Sequence, residues 1–424
     1  VITANLDAKN RAQPPAVVEP QGAGPRILAL DGLRGVAILL VMICHFTHDW
    51  SSTTADRAFY ALTQTGGLGV DLFFVLSGFL ITGILVDAKG SNHYFRNFYI
   101  RRALRILPLY YGLVAALVLL PMLGMFRNGF LTSSVARYQA WYWTHAVNWL
   151  IALSGSFAVV PAELGILWSL AIEEQFYFIW PLIVFALSPA RLIRVCLGVI
   201  AASYLLRMML CVAGAPPDTI SVATFARVDP LAVGALVALL IRSPAAWDRL
   251  VAWAPGVVWI TAPALIGMAA SSLSRGSVGV TLSLAASAPL WGGVLVLTLA
   301  ASPWGLWHRA CTSGFLRQFG KYSYAMYLFH NIVQLRVLAP LGITKRLMPP
   351  IQGSFLHVQL LIFTIGVALS FGVAYASWHL YEKHFLRLKQ LFPSGHAYDR
   401  AVSDADWRHR SRNTEPHTPV TARR

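Results

Sequence analysis

Long apolar runs constrain this chain more than any other feature. From about residue 27 to residue 380 they follow one another with short polar links between them. About twenty apolar residues are what a helix needs to cross roughly 30 Å of hydrocarbon. Of the 424 residues 56% are hydrophobic and only 12% charged, too apolar for a soluble chain of this size. The expected fold class is therefore all-α, a polytopic transmembrane helix bundle of about ten spans. The runs place these near 27–47, 67–87, 106–125, 166–188, 194–213, 223–241, 250–270, 278–300, 322–340 and 355–380. An eleventh stretch, Gln139 to Leu153, is short and crowded with Trp141, Tyr142, Trp143 and Trp149, which suits a helix lying at the interface.

Charge bias selects between ten and eleven spans. With ten and the N-terminus inside, 24 of the 34 Lys and Arg residues fall on the cytoplasmic side, as the positive-inside rule requires. An eleventh span would move Arg191, Arg194, Arg242 and Arg249 outside. The net charge of +16 is thus read as a topology signal rather than a nucleic-acid surface, since no DNA- or RNA-binding motif accompanies it. Residues 1–26 and 389–424 are polar and expected to be disordered cytoplasmic segments flanking one membrane domain, 27–388. Cys44, Cys196, Cys211 and Cys311 are scattered without metal-ligand or disulfide spacing, so no metal site is expected.

Polar groups inside such runs need a reason, because little but a partner, a substrate or a water-filled cavity offsets their desolvation. The run Leu28 to Phe46, LALDGLRGVAILLVMICHF, holds Asp31, Arg34 and His45. Arg34 and His45 are eleven residues apart, about 20° past three full turns, so they share one helix face roughly 16 Å apart along its axis. His45 is expected near the outer end. GGLGVDLFFVLSGFLIT brings Asp71 to the same level, and LWSLAIEEQFYFIWPL brings Glu173 and Glu174 close to it. A carboxylate on one ring nitrogen fixes the tautomer and makes the other nitrogen more basic, which is what a general base requires. The plainer reading is that Asp71 pairs with a neighbouring helix and that the glutamates sit in interfacial water.

On the inner side NFYIRRALRILPLYY carries Arg101, Arg102 and Arg105. Arg102 and Arg105, three apart on a helix, point the same way and with Arg34 suit a phosphate-bearing, nucleotide-like donor, although topology alone would also place arginines there. Lys321, in FGKYSYAMYLFHN, rises from the same side and joins them as a candidate donor contact. His330 reads as an interhelical hydrogen-bonder, and Arg227 with Asp229 as a local ion pair at the outer boundary. A secondary transporter would also hold charges in mid-membrane, but it usually shows repeat symmetry and matching broken helices, which are not evident here.

In this order the segments resemble the acyltransferase-3 family of integral-membrane O-acyltransferases. LDGLRGVAILLVMICHF is similar to its Arg-x10-His signature, GVDLFFVLSGFLIT to its second motif and FYIRRALRILPLYY to its arginine-rich third segment. LWSLAIEEQFYFIWPL, RVDPLAVGAL and FGKYSYAMYLFHN resemble later family segments. Where members often end the last span with Glu-x-Pro, this chain has Glu382, Lys383 and His384. The resemblance implies a bacterial inner-membrane enzyme moving an acyl group, usually acetyl from acetyl-CoA, to a hydroxyl of a glycan or lipid-linked sugar. It makes His45 and Arg34 the critical pair and Arg102 and Arg105 donor contacts.

Overall fold

The computed structural model describes residues 28–50, 52–122, 129–271, 276–340 and 349–392. The expected arm at 1–26 lies outside them, as does the expected tail, 389–424, from residue 393 on; its first residues continue a short helix, Leu388–Leu391. The main helices are α1 (Leu28–Phe46), α2 (Thr54–Gln64), α3 (Gly69–Ala88), α4 (Tyr94–Met122), α5 (Gly129–Trp143), α6 (Val147–Ser154) and α7 (Leu167–Ala186). They continue as α8 (Pro189–Val212), α9 (Asp229–Leu240), α10 (Pro244–Ala270), α11 (Ser277–Ala300), α12 (Gly314–Val333) and α13 (Leu356–Ser377).

Among the described residues eight helical segments are long and apolar enough to cross a membrane, and the chain is a polytopic all-α bundle. The two other expected spans are also helical but irregular. The segment at 223–241 is built from the short helix Thr224–Arg227 and the twelve-residue α9. The one expected at 322–340 starts earlier, as α12, and ends in a π-helical turn, Gln334–Leu338. The aromatic stretch 139–153 is not one helix. It breaks at Thr144–Ala146, and α6 at eight residues rises only about 12 Å, too little to cross hydrocarbon.

Glycine contacts set the helix spacing around α1 and α3. A Cβ on Gly78 of α3 would overlap the Leu231 carbonyl of α9, and one on Gly234 would overlap that of Val75. Likewise Gly35 of α1 lies against the Leu316 carbonyl and Gly320 of α12 against that of Asp31. In a bilayer, where apolar surface has little reason to leave lipid for protein, this backbone approach is a main source of helix association. Gly78→Val and Gly234→Val are each expected to destabilise the bundle by at least about 1–3 kcal/mol, the usual cost of overpacking. Gly198→Val on α8, where nothing lies within 4 Å of the new Cβ, should be neutral. Thermal unfolding of the solubilised protein followed by intrinsic fluorescence reads the difference, and equal melting of all three variants would contradict it.

Among the described residues two wholly or nearly buried ion pairs cross this framework. Arg207 of α8 grips Asp229 with Nη1 to Oδ1 at 2.7 Å and Nη2 to Oδ2 at 3.0 Å. Arg227 donates from Nη2 to Asp71 Oδ1 at 2.6 Å, and the Ser287 hydroxyl donates to the other Asp71 oxygen. The local pair expected between Arg227 and Asp229 is therefore replaced by two interhelical pairs. Physically, Asp229 opens α9 while Arg227 ends the short helix before it, and each faces a different neighbour.

Candidate functional site

His45 occupies the last turn of α1. Its Nδ1 lies 2.8 Å from the Val41 carbonyl. A carbonyl can only accept, so Nδ1 carries the proton and a neutral ring leaves Nε2 as the basic nitrogen. The backbone thus supplies the orientation that the sequence assigned to a carboxylate. Two glutamines inside apolar helices hold this end of α1. Gln334 Nε2 donates to the His45 carbonyl at 2.7 Å, and Gln359 brackets His48 by accepting from its N–H at 2.8 Å and donating to its carbonyl at 2.7 Å. His48, beyond the span, stacks on Trp50, and burial lowers its pKa below the ordinary imidazole value. The His330 ring meets His45 edge-on at 4.7 Å between centroids. Its own Nδ1 is 2.7 Å from the Tyr327 carbonyl.

His45 lines a cavity together with Glu163, Ile166, Trp168, Asn331 and Arg336. A second cavity lies towards the other end of α1, lined by Arg34, Ser77, Arg102, Arg105, Glu173 and Tyr177 among others. Here Arg34 pairs with Asp31 one turn earlier at 3.5 Å, Arg102 stands over the Tyr177 ring at 5.5 Å, and Glu173 accepts from Ser77 Oγ at 2.7 Å. Three guanidinium groups and one carboxylate thus line one space, and the fork geometry of arginine is one that matches phosphate.

Between the cavities lie the start of α7 and the middle of α12. Ser169 and Tyr327 line the arginine cavity and share a hydrogen bond of 2.6 Å, whereas Trp168 and Asn331 line the His45 cavity. The structure thus brings Arg34, Arg102, Arg105 and Glu173 together, with His45 on the far side of this partition. It does not bring Asp71 to His45, because Arg227 and Ser287 occupy its oxygens. Glu173 was expected at the depth of His45, but it is Trp168, at the start of α7, that shares the His45 cavity. Five residues on, at about 1.5 Å each, Glu173 is roughly 7.5 Å deeper. Glu174 lines neither cavity, and its Oε1 is buried without a hydrogen bond among the described residues. Lys321 also stands apart, with Nζ over the rings of Tyr322 and Trp378 at 4.8 and 5.2 Å. Sequence reasoning passed over Gln334, Gln359 and Asn331, although a carboxamide within or beside an apolar run carries the same desolvation signal as a charge.

A family model described as an acyltransferase domain, that of the acyltransferase-3 family, matches residues 27–379. The chain is 33% identical over 227 residues to a putative peptidoglycan O-acetyltransferase, YrhL, of Bacillus subtilis, covering 50% of this chain and 33% of the relative. It is 32% identical over 225 residues to the peptidoglycan O-acetyltransferase OatA of Listeria monocytogenes, with the same coverage of each chain. A putative O-acetyltransferase of Staphylococcus aureus, SACOL0978, is 35% identical over 176 residues, covering 38% of this chain and 25% of the relative. The chain therefore spans a third or less of the length of these relatives. No solved structure matches.

Proposed function

This chain belongs to the acyltransferase-domain family, and from that membership we propose that it transfers an acyl group, acetyl first among candidates, from acyl-CoA to a hydroxyl of a cell-surface glycan. Relatives named as peptidoglycan O-acetyltransferases make peptidoglycan or a lipid-linked precursor the first acceptor to try. The observation that carries the reading is the division of α1 between two cavities, with Arg34 in one and His45 in the other. Positive-inside topology makes the arginine cavity cytoplasmic and the His45 cavity external, in a bacterial cytoplasmic membrane. CoA phosphates dock on Arg34, Arg102 and Arg105, and the acyl-bearing arm runs past Ser169 and Tyr327 towards His45. Nε2 of His45 takes the acceptor proton, the freed oxygen forms a bond to the thioester carbonyl carbon, and the carbon–sulfur bond breaks to release CoA.

Sidedness tests this reading. Sealed inside-out vesicles are expected to use added acetyl-CoA without detergent, and right-side-out vesicles should not, because so polar a donor does not cross the bilayer. Within active vesicles, Arg102→Lys and Arg105→Lys should raise the KM for acetyl-CoA about tenfold, since lysine replaces a fork with a point charge. Equal activity in both orientations, with leakage excluded, would refute the donor side.

A further inference from the structure

We propose that the cavity beside His45 is a binding site for an uncharged sugar ring, with Asn331 receiving the hydroxyl next to the one presented to Nε2; this rests on the acyl-transfer reading. Asn331 follows His330 on α12, and its Nδ2 donates to the Ala162 carbonyl at 2.9 Å. Its Oδ1 is buried with no partner among the described residues, in a side chain about nine-tenths buried that lines the cavity. A buried acceptor left unpaired is costly, and a small turn of this cavity-lining amide would let a ligand hydroxyl supply the missing donor.

The charge of the same cavity selects the ligand class. Arg336, which the π-helical turn after α12 carries to the cavity, pairs through Nη2 with Glu163 Oε1 at 2.5 Å. The cation is thereby neutralised, so the cavity offers an anionic acceptor no free positive charge, yet the remaining N–H groups and the second carboxylate oxygen can bond to neighbouring hydroxyls. Trp168 adds an aromatic surface for the apolar face of a ring. Its own ring is backed by the Arg227 guanidinium at 5.4 Å and meets Phe74 edge-on at 6.2 Å, which fixes it in place. A planar amide, a neutralised carboxylate and guanidinium, and a fixed indole together fit a neutral pyranose with adjacent hydroxyls.

Equilibrium binding without any acyl donor tests the site separately from the reaction. The full chain in nanodiscs is titrated calorimetrically with chitotriose, cellotriose and maltotriose, and with the anionic trigalacturonate. At least one neutral trisaccharide should bind, and trigalacturonate should bind about tenfold more weakly or not at all. Asn331→Ala should weaken the neutral ligand about tenfold, the effect of losing one buried hydrogen bond. Asn331→Ser serves in its place if the alanine variant melts early. No binding of any neutral sugar, unchanged binding by a folded Asn331 variant, or preference for trigalacturonate would each overturn the proposal. Acetyl transfer measured in parallel on the wild type judges the acyl-transfer reading by itself.

Discussion

Replacing His45 with glutamine is expected to lower acyl transfer by roughly 10²–10⁴-fold, the usual contribution of a positioned general base, while membrane insertion and melting stay near wild type. Glutamine keeps polar atoms at the end of α1 but holds no nitrogen able to take a proton near neutral pH. The fold should change little because the backbone of this turn is held from outside, with Gln334 gripping the His45 carbonyl and Gln359 gripping His48, and the ring itself adds only its edge-on contact with His330. Transfer would be followed by mass spectrometry of the acceptor, and melting by intrinsic fluorescence. A His45→Gln protein that kept most of its turnover would remove His45 from the chemistry. Loss of turnover accompanied by collapse of melting would mean only that the ring holds the helix end.

Asp71→Ala is expected to do the opposite, reducing folded protein before it touches the chemistry. Asp71 is wholly buried, and its partner Arg227 is nearly so. Removing one member of a buried pair leaves the other charge uncompensated, at a cost of about 3–5 kcal/mol in proteins generally, enough to unfold many domains. Asp71→Leu combined with Arg227→Met removes both charges together and should recover much of the loss. Fluorescence-detected size exclusion of membrane extracts would show it. If Asp71→Ala gave wild-type amounts of monodisperse protein with no activity, Asp71 would return to the catalytic group.

The residues that stand out in the sequence are those whose cost is visible without a partner. An arginine or histidine in a twenty-residue apolar run is expensive wherever it points, so Arg34, His45, Arg102 and Arg105 stood out, and the first, third and fourth do line one cavity. Pairings were not legible. Asp71 meets Arg227 from 156 residues away, and Arg227 looks from the sequence like the partner of Asp229 two positions on. Depth was only coarsely legible, because a few residues' uncertainty in the start of α7 moves Glu173 from one cavity to the other. Eight of the expected spans are readable from hydropathy as helices of membrane-crossing length among the described residues. The π-helical turn at Gln334–Leu338 is not, since its i→i+5 bonding leaves the apolar pattern almost unchanged.

The partition of Ser169 and Tyr327 also bears on the electrical account of each turnover. In the proposed orientation the acceptor loses its proton outside, while the CoA sulfur gains one inside. Should the proton on His45 leave outward and the thiolate be protonated from the cytoplasm, each acyl transfer would move one elementary charge across the membrane. It would then work against an inside-negative voltage by about 2.3 kcal/mol per 100 mV. Should the hydrogen-bonded hydroxyls of Ser169 and Tyr327 instead hand the proton inward, the cycle would be electroneutral, and its rate would not respond to an imposed potential.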